Sequence, residues 1–218
     1  MPKVGAEPKR RAEVINAALT CISQYGIEGM TLDKVAEYAG CSKGVIVYYF
    51  QNKDGLTTDA FKAFLAYYGA KIQAEILPEM TAQEKMDITL KHILPVARDV
   101  EDRRIDVSGL EGVGRMTIPY EDQGRLFVQF FSKAVLDPKL REIVSQSYAA
   151  DLQGISKIID SGRRAGQKSV PDPHSAAYGL LAMVIGLSFF RVAELQTPNG
   201  QDNRAICEDY VRILMTGQ

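Results

Sequence analysis

Apolar residues recur at helical spacing in almost every segment of this chain of 218 residues. In the first such segment, Val14, Ala18, Cys21, Ile22 and Tyr25 stand at i, i+4, i+7, i+8 and i+11, which places them on one face of an α-helix. No segment shows the strict alternation of apolar and polar residues that predicts a strand. With 46% hydrophobic residues the chain can bury a sizeable core, and the sequence predicts an all-α fold.

Turn and capping residues predict where the helices begin and end. Gly26 and Gly40 suit the left-handed backbone that ends a helix. Thr31, Ser42 and Asn52 suit the N-cap position of the three helices that follow. Later helix starts are predicted at Thr81, at Asp137-Pro138 and at Asp172-Pro173, where a capping residue precedes a first-turn proline.

The second half of the chain contains longer helical patterns and one irregular stretch. Pro95 is expected to kink the helix that starts at Thr81. Residues 103–124 are rich in glycine and weakly periodic, which predicts short or irregular helix and loop. Helices are predicted over residues 125–136, 138–159, 173–195 and 204–216.

Two blocks differ in the length of their helices. Residues 1–52 hold three short helices, with a predicted helix-turn-helix over residues 31–50, and we expect them to form a DNA-binding domain. Residues 53–218 hold longer and more apolar helices. Because no flexible linker separates the blocks, the fourth helix is predicted to join them rigidly.

Composition argues against several classes of function. A net charge of −1 does not suit a polyelectrolyte binder, and the three widely spaced cysteines and two histidines predict neither a disulfide framework nor a metal site. No nucleophile, phosphate-loop or histidine-cluster pattern predicts an enzyme or a cofactor. The longest uncharged apolar stretch, residues 175–190, is shorter than a membrane span. With no signal-peptide pattern at the N-terminus, these features predict a cytoplasmic protein.

The third predicted helix has two faces of different character. Ile46, Tyr49 and Phe50 stand at i, i+3 and i+4 and are expected to pack inward on the first two helices. The predicted outward face consists of Lys43, Gly44, Val47 and Tyr48, with Val45 at its edge. An ordinary three-helix cap with a partly apolar surface would show the same pattern, so the pattern alone leaves both interpretations open.

The outward face has the chemistry of a major-groove reader. Lys43 can donate to guanine, and the valine methyl groups can contact thymine. Gly44 permits a close approach of the backbone. A basic N-terminal arm could follow phosphates or enter a minor groove, or it could be a disordered tail. Together the predicted DNA-binding residues are Thr31, Ser42, Lys43, Gly44, Val45, Val47, Tyr48 and Lys53, with Lys3, Lys9 and Arg10 (beside Arg11) in the arm.

The stretch "TLDKVAEYAGCSKGVIVYYFQNKDGL" resembles the N-terminal motif of the TetR family of repressors. The arm and "YYFQNKDGL" are most similar to the branch linked to choline and betaine. The chain departs from the pattern at Cys41, Val47 and Tyr49. Matching positions are Thr31, Val35, Ala36, Ala39, Gly40, Ser42, Gly44, Ile46, Tyr48, Phe50, Lys53 and Leu56.

The resemblance implies a homodimer that binds a near-palindromic operator through residues 1–52. It implies that the operator is released when a small molecule binds to residues 53–218, the ligand-binding and dimerisation domain. Helices 138–159 and 173–195 correspond to the pair that forms the dimer in the family, although both could instead be core of one protomer. A dimeric DNA-binding regulator without an effector is the alternative function.

For the effector, the resemblance points to residues 125–136. The choline-linked branch has tryptophans at the positions of Phe127 and Phe131, whereas this chain has no tryptophan. The phenylalanines could therefore be core, and Asp151 could anchor a cation or lie at a surface. The predicted effector-binding residues are Phe64, Tyr68, Met86, Ile93, Met116, Tyr120, Phe127, Phe130, Phe131, Tyr148 and Asp151.

Overall fold

The structure, a computed structural model, describes residues 6–93, 120–165 and 172–216. Within these ranges the backbone forms α-helices and one short 3-10 turn, and no strand, which confirms the all-α prediction. The helices are α1 (Ala6–Gly29), α2 (Leu32–Ala39), α3 (Lys43–Phe50), α4 (Lys53–Glu75), α5 (Ala82–Ile93), α6 (Tyr120–Leu136), α7 (Pro138–Arg164), α8 (Pro173–Val192) and α9 (Asn203–Thr216).

Side chains cap most of the helices at the predicted residues. Thr31 and Asn52 each accept a hydrogen bond from the backbone N–H three residues ahead, at 3.3 and 2.8 Å. Asp137 and Asp172 each accept one from the N–H two residues ahead, at 2.9 and 3.1 Å. Each bond satisfies an N–H group that has no partner within its helix, which stabilises a helix by about 1 kcal/mol.

The structure differs from the predictions at three helix boundaries. Ser42 precedes α3, but its side chain makes no capping hydrogen bond. At Gly26 the backbone leaves the helical conformation (φ 75°, ψ 165°), yet α1 continues for another turn to Gly29. Residues 120–124, predicted as irregular, form the start of α6. A helix is held by its backbone hydrogen bonds, so it can include a stretch where apolar residues do not recur at helical spacing. Pro95 and residues 103–119 lie outside the described residues.

The first compact unit, called here the N-terminal unit, is built from residues 1–70 and 101–141 so far as these are described. It combines α1–α3, most of α4, and α6. Its centre is aromatic: the ring of Phe61 stacks on that of Phe130 with centroids 4.4 Å apart, and the ring of Phe64 lies 5.6 Å from Phe130. All three side chains are fully buried, each contributing roughly 1.5–3 kcal/mol.

The second compact unit, the C-terminal unit, is built from residues 71–100 and 142–218 so far as these are described. It combines α5, most of α7, α8 and α9 around an apolar core that includes Met86, Ile159, Leu180 and Val211. These packing units describe contacts rather than roles, so the functional division after residue 52 stays a prediction.

One face of α8 is apolar but is not covered by the described residues of the protomer. This helix has a mean hydropathy of 1.6 over 18 residues, of which 28% are buried. By length and composition it is the one helix in the described ranges that could cross a membrane, a weak criterion that core helices of soluble proteins also meet. Tyr178, Ala182 and Phe189 stand at i, i+4 and i+11, and all three are exposed.

Candidate nucleic-acid interface

The turn between α2 and α3 is closed by backbone hydrogen bonds. Gly40 adopts the left-handed conformation (φ 60°, ψ 40°), as its position predicts. The N–H groups of Gly40 and Cys41 donate to the carbonyls of Glu37 and Ala36 at 3.2 and 3.0 Å. Partial burial raises the pKa of the Cys41 thiol, which therefore stays protonated. The two short helices are thus joined by a tight, hydrogen-bonded turn typical of a helix-turn-helix.

The inward face of α3 is fixed by two large side chains. Ile46 and Phe50 are buried, and the Tyr49 side chain is half-buried with its ring 6.2 Å from that of Phe50. The Arg11 guanidinium lies 5.5 Å from the centroid of the Phe50 ring and pairs with Asp59 at 2.5 Å. Arg11 therefore packs α1 against its neighbours. Because its charge is paired with Asp59, it is not free to act in the predicted basic arm.

The opposite face of α3 is open to solvent. Lys43, Gly44, Val47 and Tyr48 are exposed, with 43% of Val47 and 76% of Tyr48 accessible, and Val45 is half-buried at the edge. An added Cβ at Gly44 would meet only the Ser42 hydroxyl, at 3.7 Å, so the glycine is not required by packing. This orientation agrees with the helical spacing, while DNA contacts by these side chains stay a prediction.

Several predicted DNA-binding cations have partners in the free protein. Lys43 Nζ lies 2.9 Å from Asp33 Oδ2, and Lys53 Nζ donates to the Glu28 carbonyl at 2.9 Å. Arg10 pairs with Glu13 at 2.9 Å. Lys9 is exposed and Lys3 lies outside the described residues. No sequence pattern predicted the role of Asp33, because a pair ten residues apart in two different helices follows no helical period.

Helix α6 contacts the end of α1 through polar side chains. Gln129 Oε1 accepts from the Ile27 N–H at 3.4 Å, beside the bend at Gly26. Lys133 Nζ donates to Glu28 Oε1 at 2.6 Å, and this hydrogen bond lowers the pKa of the Glu28 carboxyl. α6 is thereby attached to the segment that precedes the helix-turn-helix.

A polar cavity of about 190 Å³ lies in the same region of the N-terminal unit. Its walls come from the ends of α1 and α6 and the first turns of α4 and α7, with charged side chains from Glu28, Lys53, Asp54, Lys133 and Asp137. None of the predicted effector-binding residues lines it. Among the described residues no group of three or more His, Cys, Asp or Glu side chains could hold a metal ion.

Comparison with known proteins identifies both parts of the chain. Residues 14–60 match the model of bacterial regulatory proteins of the tetR family, and residues 117–216 match the BetI-type transcriptional repressor C-terminal model. The chain belongs to the TetR family. Its relatives are transcriptional regulators, a role that is not enzymatic.

Relatives extend over nearly the whole chain. The HTH-type transcriptional regulator BetI of Pseudomonas paraeruginosa is 28% identical over 187 residues, covering 86% of this chain and 83% of the relative. BetI 2 of Chromohalobacter salexigens is 28% identical over 219 residues, covering 99% of this chain and 93% of the relative. The resemblance to the choline-linked branch is thereby confirmed at the level of the family.

Solved structures share the fold. A structure described as a transcriptional regulator from Saccharomonospora viridis in complex with choline is similar at a TM-score of 0.74 and 18% identity, covering 94% of this chain and 95% of that one. AibR in complex with isovaleryl coenzyme A and operator DNA is similar at a TM-score of 0.64 and 16% identity, covering 94% and 98%. At these identities the likeness concerns the fold alone.

The predicted effector-binding residues of this TetR-family chain fall into two groups. In the N-terminal unit, Phe64 and Phe130 are buried core, and the half-buried rings of Phe127 and Phe131 stack with centroids 4.1 Å apart. The Tyr68 hydroxyl donates to Gln123 at 3.2 Å. Met116 lies outside the described residues, and Tyr120 is the first residue of α6. Their role in binding stays a prediction.

The second group lies in the C-terminal unit. Met86 is buried in its core, and Ile93 and Tyr148 pack against that core. Asp151 is exposed on α7. The hydroxyl oxygen of Tyr148 is buried and has no hydrogen-bond partner among the described residues. Burial also raises the pKa of this hydroxyl, so it is a protonated donor.

The orientation of α3 leads to opposite expectations for two of its residues. Ile46→Ala should lower the free energy of unfolding by about 2–5 kcal/mol, because it leaves a cavity under the helix. Tyr48→Ala, on the exposed face of the same helix, should change it by less than about 0.5 kcal/mol. Urea denaturation followed by circular dichroism measures both. A larger loss for Tyr48→Ala would show that α3 presents the other face to solvent.

Proposed function

We propose that this protein is a ligand-responsive repressor that binds a near-palindromic operator as a homodimer in the cytoplasm. The observation that carries the proposal is the outward face of α3, where Lys43, Gly44, Val47 and Tyr48 are exposed while Ile46 and Phe50 hold the helix in place. Exposed methyl groups and an exposed aromatic ring gain nothing from contact with water. Beside a cation, they suit a surface that contacts thymine methyl groups, guanine edges and phosphates.

DNA binding is tested with a duplex that the protein itself enriches from a randomised pool. Lys43→Ala should weaken binding of that duplex by about 1–3 kcal/mol, because the ammonium donates to a base. With about three phosphate-neutralising cations in each protomer, log K should fall against log salt with a slope near −5. Fluorescence anisotropy over a salt series measures both quantities.

Lys62→Ala is the matched control, since it removes an exposed lysine from α4 that belongs neither to the predicted DNA-binding residues nor to the predicted dimer helices. It should leave operator affinity unchanged. Equal losses for the two lysine variants, or a slope near zero, would contradict a role for α3 in binding DNA.

The homodimer is proposed on the uncovered stripe of α8. Tyr178, Ala182 and Phe189 expose apolar surface along one face of this helix, and a second copy of the same stripe would remove both from water. A two-fold dimer would also present two copies of α3 to successive turns of a palindromic duplex. Burial by a partner protomer explains the apolar composition of α8 without a membrane.

Ala182→Arg should convert a dimer into a monomer at micromolar concentration, because it places an unpaired charge in the centre of the stripe. The side chain is exposed within the protomer, so the helical content should not change. Ala66→Arg, at an exposed position of α4, makes the same change away from α8 and should remain dimeric. Sedimentation equilibrium distinguishes the two species. A dimeric Ala182→Arg protein would place the interface elsewhere.

The effector is proposed to bind in the C-terminal unit, with Tyr148 donating a hydrogen bond to it. A buried hydroxyl without a partner is costly, and a polar group of a bound ligand would satisfy it. Binding would shift the population towards a state with the two α3 helices spaced wrongly for DNA, and this coupling is reciprocal. Choline and isovaleryl coenzyme A, which bind structurally similar regulators, are the first probes.

Tyr148→Phe separates this proposal from a regulator that has no effector. Removing an unsatisfied hydroxyl should leave the melting temperature of the free protein unchanged or slightly higher. A probe that raises the melting temperature of the wild type should raise that of the variant by less, because one hydrogen bond is lost. If neither probe, nor any other metabolite in a thermal-shift screen, stabilises the wild type or releases DNA, the alternative function is favoured.

A further inference from the structure

A carboxylate lies beside the lysine on the outward face of α3. Asp33 is in the first turn of α2, and its Oδ2 atom is 2.9 Å from Lys43 Nζ, in the first turn of α3. Both side chains are largely exposed, 72% for Asp33 and 54% for Lys43. The pair joins the two helices of the helix-turn-helix on their solvent side.

Fold stability does not account for this pair. Ion pairs with this degree of exposure contribute little to the free energy of unfolding, since water and salt screen them. An acidic residue in the first turn of α2 interacts favourably with the helix dipole. That interaction does not require the carboxylate to lie beside Lys43, as it does here.

The position of the pair matters for DNA. Asp33 is two residues from Thr31, which is a predicted DNA-binding residue at the start of α2. A carboxylate there repels the backbone of every duplex, whatever its sequence. It also reduces the attraction of Lys43 to phosphates, which is the sequence-independent part of binding.

Lys43 can keep the pair and still read a base. An ammonium group has three N–H donors, of which Asp33 occupies one in the free protein. The remaining donors can bond the O6 or N7 atom of guanine. Because lysine is a long and flexible side chain, a partner that holds its end in one place lowers the entropy lost when it binds.

We propose that Asp33 is a positioning residue that sets sequence selectivity: it directs Lys43 towards a base edge and disfavours binding to duplexes that lack the right base. This inference rests on the proposed function, since it requires that α3 bind DNA. It assigns to α2 an active part in discriminating between operator and other DNA, in addition to supporting α3.

The test compares two duplexes of equal length, one enriched from a randomised pool by the wild-type protein and one of mixed sequence. Asp33→Asn should bind the mixed duplex more tightly and the enriched duplex no better, so the ratio of the two affinities should fall on the order of tenfold. With one cation freed in each protomer, the salt slope on the mixed duplex should steepen by about 2. Anisotropy titrations over a salt series give both quantities.

Matched variants separate positioning from a general charge effect. Asp33→Glu retains the carboxylate and should preserve most of the ratio. Asp54→Asn makes the same charge change in the first turn of α4 and should preserve it too. In a Lys43→Ala background, Asp33→Asn should no longer change the ratio through Lys43, so the two substitutions should be non-additive.

The outcomes are distinguishable. If the wild type enriches no sequence, the proposed function fails and this inference fails with it. If the wild type selects a duplex but Asp33→Asn keeps the same ratio, or lowers both affinities equally together with the melting temperature, only the role of Asp33 is overturned. Additivity of Asp33→Asn and Lys43→Ala would overturn it as well.

Discussion

The burial of Ile46 and Phe50 is the interaction on which the proposed DNA-binding surface depends. α3 has eight residues, too few for a helix that is stable in water on its own. Its conformation and its orientation therefore both come from these two anchors, with Arg11 over the ring of Phe50 from α1. When Ile46 and Phe50 are buried, the helical period turns the opposite face outward, and that face consists of Lys43, Gly44, Val47 and Tyr48.

Local signals in the sequence predict much of this fold. The period of three to four residues gives the helices, and Thr31, Gly40, Asn52, Asp137 and Asp172 mark boundaries because each acts on backbone atoms within a few residues of itself. The predicted cap at Ser42 makes no side-chain hydrogen bond, because serine favours the N-cap position without requiring that bond. The start of α6 was missed because Gly124 and a weak apolar period predict a loop, whereas the helix extends back to Tyr120.

Long-range polar contacts could not be predicted in the same way. The pair of Lys133 with Glu28 joins residues 105 positions apart, and the pair of Lys43 with Asp33 joins two helices across a turn. No period or capping rule links such residues, because their proximity follows from the packing of whole helices. The candidate effector site shows the same limit. Tyr148 was predicted from its residue type, but only the packing shows that its hydroxyl has no hydrogen-bond partner among the described residues.

The aromatic centre of the N-terminal unit restricts how this protein could be recombined with others. Phe61 of α4 and Phe130 of α6 stack within the same compact unit as the helix-turn-helix. A chimaera joined after residue 52 would separate α2 and α3 from that stack and from the α6 side chains that contact the end of α1. Binding specificity should therefore be exchanged between relatives, in the laboratory or in evolution, by changing residues on the surface of α2 and α3. Transfer of residues 1–52 as a block should not preserve the fold of this unit.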